Sequence, residues 1–336
     1  MLDRADCESY RLNTLSELAS ADEDTRAALI AEYQRRTEEA YAPTTRRNYT
    51  QILAMFRAWC CEYGHSAEPP VSPLTVAAYV DYLGGKVRPT TIGLRLWAIN
   101  EMHRASFSPS PCKSRLVNLA LKAVKRTYGA HIRQAAPLSK LEILAAIENL
   151  GNTRIEVRDK ALLWIASDSW CRSSEITSFR VRDLETQSDG SSLLFVARSK
   201  TDQYGEGAYA YLSRPGTDAV LAWVKLAALG LDEPILTKSQ RRGKRTPLDP
   251  ATVSRVIKRR TGRSDVSAHS TRIGGVQDAF RIGCDLSSIM VAGRWTSPEM
   301  PARYGRRILA SQSAAAQVCD AMLEKPQRAT FNGAPE

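Results

Sequence analysis

Apolar residues recur with helical spacing through the first 130 residues of the chain. The clearest stripe consists of Tyr49, Ile52, Leu53, Phe56 and Trp59. Similar patterns cover a segment ending at Ala40 and segments opening near Ser72, Pro89 and Ser114. Thr44 and Thr45 precede the first stripe, and either is a candidate N-cap. No stretch here alternates as a strand would, so this part is predicted to be all-helical.

Beyond these helices the pattern is interrupted and its period changes. Residues 129–137 are basic and lack helical periodicity, which favours a linker. Ser173 and Ser174 are a predicted capping pair for a short helix. Strand-like runs at 193–196 and 208–212 flank a polar turn that contains glycine. This arrangement predicts a β-hairpin within a mostly helical region.

Length and composition indicate two globular domains. The chain has 336 residues, of which 43% are hydrophobic and 25% charged, values typical of folded proteins with room for two cores. With the breaks in the pattern, they predict four segments. These are an acidic N-terminal extension at 1–40, a helical domain at 41–130, a linker at 131–137 and a second domain at 138–336.

Charge is distributed unevenly along the chain. The net charge is +11, but residues 1–40 carry −5 and the remainder carries +16. A basic body of this size favours nucleic acid or an anionic membrane surface as partner, although a merely soluble basic protein has the same composition. Residues 239–263 hold nine basic residues and one acid, which favours contact with phosphates. Candidate contacts there are Arg241, Arg242, Lys244, Arg245, Arg255, Lys258 and Arg259.

Other classes of protein are disfavoured by what the sequence lacks. No stretch approaches the roughly 20 apolar residues of a membrane span, and the acidic N-terminus is unlike a secretory signal. The seven cysteines form no C-x-x-C pair, and no histidine pair stands at zinc spacing. We interpret them as reduced thiols of a cytoplasmic protein. We therefore expect no membrane association and no metal site.

One short motif suggests an anion site. His269 and Arg272 stand at i and i+3 near the start of a predicted helix, for which Ser270 or Thr271 is a candidate cap. Both side chains would then lie on one face, beside the unpaired N–H groups of the helix terminus. Taken alone, this H-x-x-R pair is also a common surface motif.

His269 and Arg272 belong to a larger set of residues that together indicate a function. The ordered set is Arg172, Glu175, Lys200, His269, Arg272, Trp295 and Tyr304. Trp295 follows His269 by 26 residues and precedes Tyr304 by nine. This set resembles the catalytic residues of the tyrosine recombinase family, also called the phage integrases. The likeness covers roughly residues 40–325.

The resemblance implies an architecture and a set of DNA contacts. The expected fold is mainly α with a small β-sheet, in which a helical SAM-like core-binding domain and a catalytic domain form a C-shaped clamp on DNA. Implied DNA contacts in the N-terminal half are Thr44, Arg46, Arg47, Arg88, Thr90 and Arg95. The apolar segment 308–323 is expected to dock into a neighbouring protomer, giving a dimer on each site and a homotetramer on two sites.

The resemblance also implies how a phosphodiester would be held. Its cleavage requires stabilisation of negative charge around a five-coordinate phosphorus. Arg172 and Arg272 would hold the non-bridging oxygens, with His269 and Trp295 as further donors. Such a donor set needs no metal ion and no other cofactor.

Proton transfer is assigned to the remaining members of the set. Tyr304 would be the nucleophile, with His269 as the base that receives its proton. Lys200, in the predicted hairpin turn, would protonate the leaving 5′ oxygen. Glu175 would orient His269 or an arginine without touching the phosphate.

The implied function is site-specific recombination through a 3′-phosphotyrosine intermediate, between double-stranded sites with inverted-repeat arms. No phosphate-binding G-x-x-x-x-G-K-[ST] loop is present, in keeping with a reaction that conserves the bond energy. A DNA-relaxing topoisomerase of type IB is one alternative, and a non-catalytic DNA-binding regulator is another. The expected location is the cytoplasm, in association with the nucleoid.

Overall fold

The computed structural model of the chain describes residues 22–129, 134–197, 206–238 and 245–323. These residues form two units, one before and one after residues 130–133. Helices dominate both units, and the described residues contain one sheet, of three strands. The predicted mainly helical fold with a small sheet is confirmed. Among the described helices, none combines the length and the hydropathy that crossing a membrane requires.

The described part of the first unit contains five α-helices. They are α1 (Glu23–Ala40), α2 (Pro43–Glu62), α3 (Pro73–Leu83), α4 (Pro89–Ala105) and α5 (Arg115–Tyr128). A short 3₁₀ turn at Pro111–Lys113 leads into α5. The helical character predicted for this part of the chain is therefore confirmed.

Local capping chemistry sets where these helices begin. Ser72 caps α3 as its position before the apolar stripe predicts, accepting a hydrogen bond from a backbone N–H of the first turn. The predicted cap of α2 at Thr44 or Thr45 is wrong. That helix begins after Ala42 with Pro43 in its first position, where the missing N–H of proline loses no hydrogen bond and its fixed φ suits the helix.

Aromatic side chains fill the core of the first unit. Phe56, Trp59 and Tyr79 are buried, and their ring centroids lie 4.9–6.4 Å apart. Trp97 lies at the edge of this cluster, with its ring 6.2 Å from that of Tyr41. These contacts combine large apolar area with favourable ring geometry.

The described part of the second unit contains nine α-helices and three strands. The helices are α6 (Lys140–Glu148), α7 (Arg154–Asp168), α8 (Ser173–Ser178), α9 (Arg214–Ala227), α10 (Pro250–Thr261), α11 (Ala268–Arg281), α12 (Leu286–Gly293), α13 (Glu299–Ser311) and α14 (Ala314–Leu323). The strands are β1 (Leu184–Thr186), β2 (Ser192–Val196) and β3 (Ala208–Leu212). Within the segment predicted as a linker, Gln134 donates from its side chain to the carbonyl of Arg303 at 2.9 Å, so this end of the segment packs on the second unit.

The strands form an antiparallel sheet in the order β1-β2-β3. Leu194 of β2 pairs with Leu184 of β1 and with Ala210 of β3. Alternate residues of β2 are buried, as expected for a strand with one face on a core. The predicted hairpin is confirmed by β2 and β3. Lys200 and its neighbours in the connecting turn lie outside the described residues.

Two glycines let α11 pass close to the segments that precede α6 and α8. A Cβ on Gly274 would lie 1.8 Å from the carbonyl oxygen of Leu138, and one on Gly275 would lie 2.3 Å from Nε1 of Trp170. Neither position has room for a side chain. The Leu138 N–H also donates to the carbonyl of Ser270 at 3.0 Å. These contacts fix α11 against both segments.

A buried carboxylate joins α10 to α7. Asp159 has no exposed surface, and its oxygens accept hydrogen bonds at 2.8 Å from Arg158, Arg259 and Arg260. A charge removed from water needs such partners. Two arginines of the basic segment 239–263 are therefore bonded to the body of the unit.

The start of α8 differs from the prediction. The helix begins at Ser173, so its N-cap is Arg172, and the predicted pair Ser173 and Ser174 lies inside the first turn. The side chain of Glu175 accepts the Arg172 N–H at 2.9 Å. A glutamate at the third helical position thus satisfies the capping residue's N–H from within the helix.

The start of α11 also differs. Ser267 is the N-cap, and its side chain accepts a hydrogen bond from the His269 N–H. The predicted caps Ser270 and Thr271 lie within the first turn, where the Ser270 hydroxyl accepts the Ser267 N–H in return. The helix therefore begins ahead of His269.

The C-terminal apolar segment 308–323 is two helices, not one. α13 ends at Ser311 and α14 begins at Ala314. At the break, Gln312 donates from its side chain to the carbonyl of Phe280 at 3.1 Å. This tertiary bond holds the chain where the first helix ends, which periodicity alone does not reveal.

We expect Gly274→Ala to destabilise the second unit by about 1–3 kcal/mol or more, the usual cost of inserting a methyl group into packed structure. The added Cβ would collide with the backbone of Leu138. Gly93 in α4 is the matched control, because nothing lies within 4 Å of a Cβ placed there. Gly93→Ala should stabilise by about 0.5–1 kcal/mol. Urea unfolding followed by circular dichroism measures both changes, and a Gly274→Ala protein as stable as the parent would contradict the close approach.

Candidate active site

A tyrosine and a histidine are in direct contact on adjacent helices. The hydroxyl of Tyr304, on α13, lies 2.8 Å from Nε2 of His269, on α11. Their rings meet edge to face with centroids 5.5 Å apart. Tyr304 is 7% exposed, and its contact with the His269 ring is partly buried. The tyrosine hydroxyl is therefore bonded to a group that can carry its proton.

Close packing of α13 on α11 places Tyr304. A Cβ on Gly305 would lie 2.3 Å from the ring of Phe280, so glycine next to the tyrosine allows this approach. The side chain of Gln277 donates to the Tyr304 carbonyl at 3.2 Å. The Trp295 ring lies 5.9 Å from the tyrosine ring. The hydroxyl position is thus set by packing on several sides.

Arg272 is a buried cation held by backbone carbonyls. It is 1% exposed; Nη1 donates to the carbonyl of Trp170 at 2.6 Å and Nη2 donates to the carbonyl of Gly293. Its guanidinium carbon lies 4.2 Å from the centroid of the Trp295 ring. Burial, together with the positive charges of Arg172 and Arg294, lowers the pKa of Arg272 to about 10. The side chain remains protonated at neutral pH.

A second arginine is bound to a buried carboxylate. Arg172 Nη1 donates to Glu175 Oε1 at 2.7 Å, and Glu175 is 3% exposed. From the other side, Arg294 Nη2 donates to Glu175 Oε2 at 3.0 Å. Burial raises the pKa of Glu175, but the hydrogen bonds from Arg172 and the charges of Arg294 and Arg172 outweigh it, so the pKa is lowered. Glu175 is therefore a carboxylate bridging two guanidiniums.

The arginines also act on the tyrosine–histidine pair. Burial raises the pKa of Tyr304, while the charges of Arg272, Arg172 and Arg303 oppose that rise. Desolvation, and then repulsion from Arg272 and Arg172, lowers the pKa of His269. The imidazole is consequently neutral at pH 7 and able to accept a proton.

Six of the seven predicted catalytic residues are described, and the structure brings them into one region of the second unit. They are Arg172, Glu175, His269, Arg272, Trp295 and Tyr304. The seventh, Lys200, lies outside the described residues. Across the described ranges, no three His, Cys, Asp or Glu side chains lie together as a metal-binding group would.

Two participants were missed by the sequence analysis. Arg294 binds Glu175, and the backbone carbonyl of Trp170 binds Arg272. Both residues have positive φ, 54° and 48°, which is uncommon for any residue except glycine. A carbonyl has no sequence signal at all, whereas Arg294 stands directly before Trp295 and could have been included on position alone.

The predicted DNA contacts lie partly at the surface. In α10, Arg255, Lys258 and Arg259 are exposed, although Arg259 also binds Asp159. Nε of Arg245 lies 3.6 Å from Oε1 of Glu233. Arg241, Arg242 and Lys244 fall outside the described residues.

The candidate DNA contacts in the first unit also include both exposed and half-buried side chains. The exposed ones are Thr44, Arg46, Arg47, Arg88 and Thr90. Arg95 is half-buried and donates to the Tyr79 hydroxyl at 2.9 Å. This contact gives Arg95 a structural role whether or not it also touches DNA. All of these DNA contacts remain predictions.

The site has the parts needed to attack a phosphate diester. A hydroxyl lies against a neutral imidazole, and two guanidiniums beside it can neutralise charge on phosphate oxygens. The arrangement is therefore chemically suited to phosphoryl transfer with a tyrosine nucleophile, in a unit built from helices around a small sheet.

Comparison with known proteins shows which proteins the chain is similar to. No family model matches the chain. It is 28% identical over 289 residues to an integrase/recombinase xerD homolog of Selenomonas ruminantium, covering 81% of this chain and 84% of the relative. It is 25% identical over 300 residues to recombinase cre of Escherichia phage P1, covering 81% and 87%. The solved XerH site-specific recombinase bound to palindromic difH substrate has a TM-score of 0.57 and 16% identity, over 75% of this chain and 73% of that one.

The similarity to both curated relatives spans most of the chain, and the solved structure shares its fold. The chain is similar over most of its length to members of the tyrosine recombinase family, the phage integrases.

We expect the His269 imidazole to titrate below 6.5, its ordinary pKa, because burial and two nearby arginines disfavour the charged ring. Removing one positive charge with Arg172→Gln should move the titration midpoint upward. NMR titration is practical because the chain has four histidines, and His269→Gln identifies the signal. Arg255→Gln, on exposed α10, is the matched control and should leave the midpoint unchanged. A midpoint that rises equally in both variants would contradict the local repulsion.

Proposed function

We propose that the chain exchanges DNA strands between two specific sites, with Tyr304 forming a 3′-phosphotyrosine link to the cleaved strand. The observation that carries this proposal is the hydroxyl of Tyr304, held 2.8 Å from Nε2 of the histidine base and beside two arginines. A nucleophile bonded to its base and facing cations is the arrangement that such an attack needs.

In the cleavage step, the Tyr304 oxygen forms a bond to phosphorus and the bond from phosphorus to the 5′ oxygen breaks. The tyrosine proton passes to Nε2 of His269, and Lys200 supplies a proton to the leaving 5′ oxygen. Religation is the reverse reaction with the 5′-hydroxyl of the other strand. The phosphate bond energy is retained throughout, so no nucleotide cofactor is required.

The arginines supply the electrostatic part of catalysis. Arg272 and Arg172 would each donate to non-bridging oxygens, where charge grows in the transition state. Trp295 packs on the Arg272 guanidinium and would add its indole N–H as a donor. Glu175 holds Arg172 and does not contact the phosphate. Because these donors are already fixed by other contacts, little reorganisation accompanies the reaction.

DNA would be held by both units. We propose that residues 41–130 of the first unit are the core-binding domain, that residues 131–137 connect it to the catalytic domain, and that both domains contact the duplex. The exposed basic residues of α10, such as Arg255 and Lys258, would contact the backbone phosphates. Such a recombinase acts on DNA in the cytoplasm, associated with the nucleoid.

Assembly is proposed to use α14. None of its residues is buried, and Val318, Met322 and Leu323 are 56%, 72% and 84% exposed. On the second unit, an apolar groove is lined by residues that include Leu141 and Ile282, which are 77% and 80% exposed. We propose that α14 of one copy fills this groove of the next, so that head-to-tail contacts close a ring of four on two DNA sites.

Covalent capture tests the proposed function. The protein is mixed with a randomised nicked duplex library and denatured, and the strands that remain attached are sequenced. We expect an enriched inverted repeat linked at its 3′ ends. Tyr304→Phe should bind the same sites and form no covalent link, while Tyr209→Phe, which changes an exposed tyrosine of β3, should behave as the parent.

Other outcomes would support the alternatives. Attachment without sequence enrichment, with relaxation of supercoiled DNA by a monomer, would favour a type IB topoisomerase. Specific binding with no attachment would favour a regulator. An adduct that persists in Tyr304→Phe would refute the assignment of the nucleophile.

The assembly is tested by placing charge on the apolar side of α14. Met322→Glu should abolish tetramers on paired sites because it would bury an unpaired carboxylate in the groove, while binding to a single site persists. Gln317→Glu adds the same charge to the same helix and is the matched control. Sizing of DNA complexes by light scattering measures both, and a stable tetramer of Met322→Glu would exclude this contact.

A further inference from the structure

Arg294 joins an unusual backbone conformation to the active site. It follows the last residue of α12 with φ of 54° and ψ of 47°, the left-handed region in which glycine is normally found at a helix end. Residues with side chains adopt this conformation at a cost, and such residues cluster at functional sites. The position therefore raises the question of what the arginine side chain contributes.

The side chain is buried and held on several sides. It is 8% exposed; Nη1 donates to the Ser169 carbonyl at 3.1 Å, and Nη2 donates to Cys171 Sγ at 3.2 Å and to Glu175 Oε2 at 3.0 Å. Its Nε is buried and has no partner among the described residues. Arg294 therefore contacts the segment that connects α7 to α8. This segment ends at Arg172, the N-cap of α8.

The contact between Arg294 and Glu175 changes the net charge of the group that includes Arg172. Arg172 and Glu175 form a close ion pair, and by themselves they would be neutral overall. A neutral pair attracts phosphate weakly. Arg294 binds the opposite oxygen of the same carboxylate, so the three groups together carry one net positive charge. The carboxylate, fixed from both sides, also holds the Arg172 guanidinium in one orientation.

We propose that Arg294 is a positioning residue that keeps Arg172 oriented, and electrostatically available, for the scissile phosphate. The proposal rests on the proposed function, in which Arg172 binds that phosphate. Arg294 itself is not placed in contact with DNA. Its effect would pass through Glu175, from the side opposite to Arg172.

Arg294→Gly tests the contribution of the arginine side chain without changing the backbone conformation. Glycine adopts the left-handed conformation freely, so the variant removes the guanidinium without adding backbone strain. We expect the single-turnover rate of covalent adduct formation to fall about 10–100-fold, by analogy with the loss of residues that orient metal ligands. The Kd for an uncleaved site should stay within about twofold, because the phosphate contacts that dominate affinity are elsewhere.

Ala228→Gly is the matched control. Ala228 caps α9 in the same unit with φ of 50°, so its replacement makes the same backbone change away from the site. It should cleave at the parental rate. Arg294→Lys keeps the positive charge without the forked donors, and it should lose less activity than the glycine variant. If Arg294→Gly proves unfolded, the rate of Arg294→Lys is compared with that of the parent instead.

A double-mutant cycle with Arg172→Ala distinguishes positioning from a general structural role. If Arg294 acts through Arg172, adding Arg294→Gly to Arg172→Ala should reduce the rate little further. An equal loss in both backgrounds, or a glycine variant that cleaves at the parental rate, would overturn the proposal. Failure of the proposed function would instead be seen in the unmodified protein, as the absence of any covalent adduct.

Discussion

The burial of the Arg272 guanidinium is the constraint on which the rest of the second unit depends. A charge taken out of water must have its donors satisfied, and two backbone carbonyls meet that need, those of Trp170 and Gly293. Trp170 reaches its place in a left-handed conformation, against α11, where only Gly275 leaves room for its indole. Trp295 covers the face of the guanidinium. The segments before and after α11 are thereby brought to one point.

From this arrangement follows a site with more positive than negative charge. Arg172 and Arg294 bind the single carboxylate of Glu175, while Arg272 is held by backbone carbonyls. Burial, and then repulsion from Arg172 and Arg294, lowers the pKa of Arg272, and burial, with repulsion from Arg272 and Arg172, lowers the pKa of His269. A phosphate entering the site would relieve that repulsion. The same charges that would bind such an anion also favour the neutral imidazole, so in the proposed function one electrostatic field would serve both recognition and catalysis.

The fold was predictable where it depends on local pattern. Apolar spacing identified the helices of the first unit and the hairpin of the second, because burial of one face imposes a period on the sequence. Helix ends were less predictable. Ser72 marked the start of α3 correctly, but the caps predicted at Thr44 or Thr45, at Ser173 and Ser174, and at Ser270 or Thr271 were wrong. Arg172 caps α8 because Glu175 bonds back to it, and the break at Gln312 depends on a bond to the distant Phe280 carbonyl. Such ends are decided by partners that local sequence does not identify.

By itself, the sequence determined the chemical inventory. The order and spacing of His269, Trp295 and Tyr304 pointed to the family, because the reaction needs these side-chain types and the chain order of the fold keeps them in sequence. Only the tertiary structure decided how they act together. It placed the tyrosine hydroxyl on the histidine, bound Arg172 to a shared carboxylate, and brought in Arg294, whose position beside the tryptophan gave no sign of its role. The reason is that proximity, desolvation and summed charge are properties of residues far apart in the chain, and folding alone creates them.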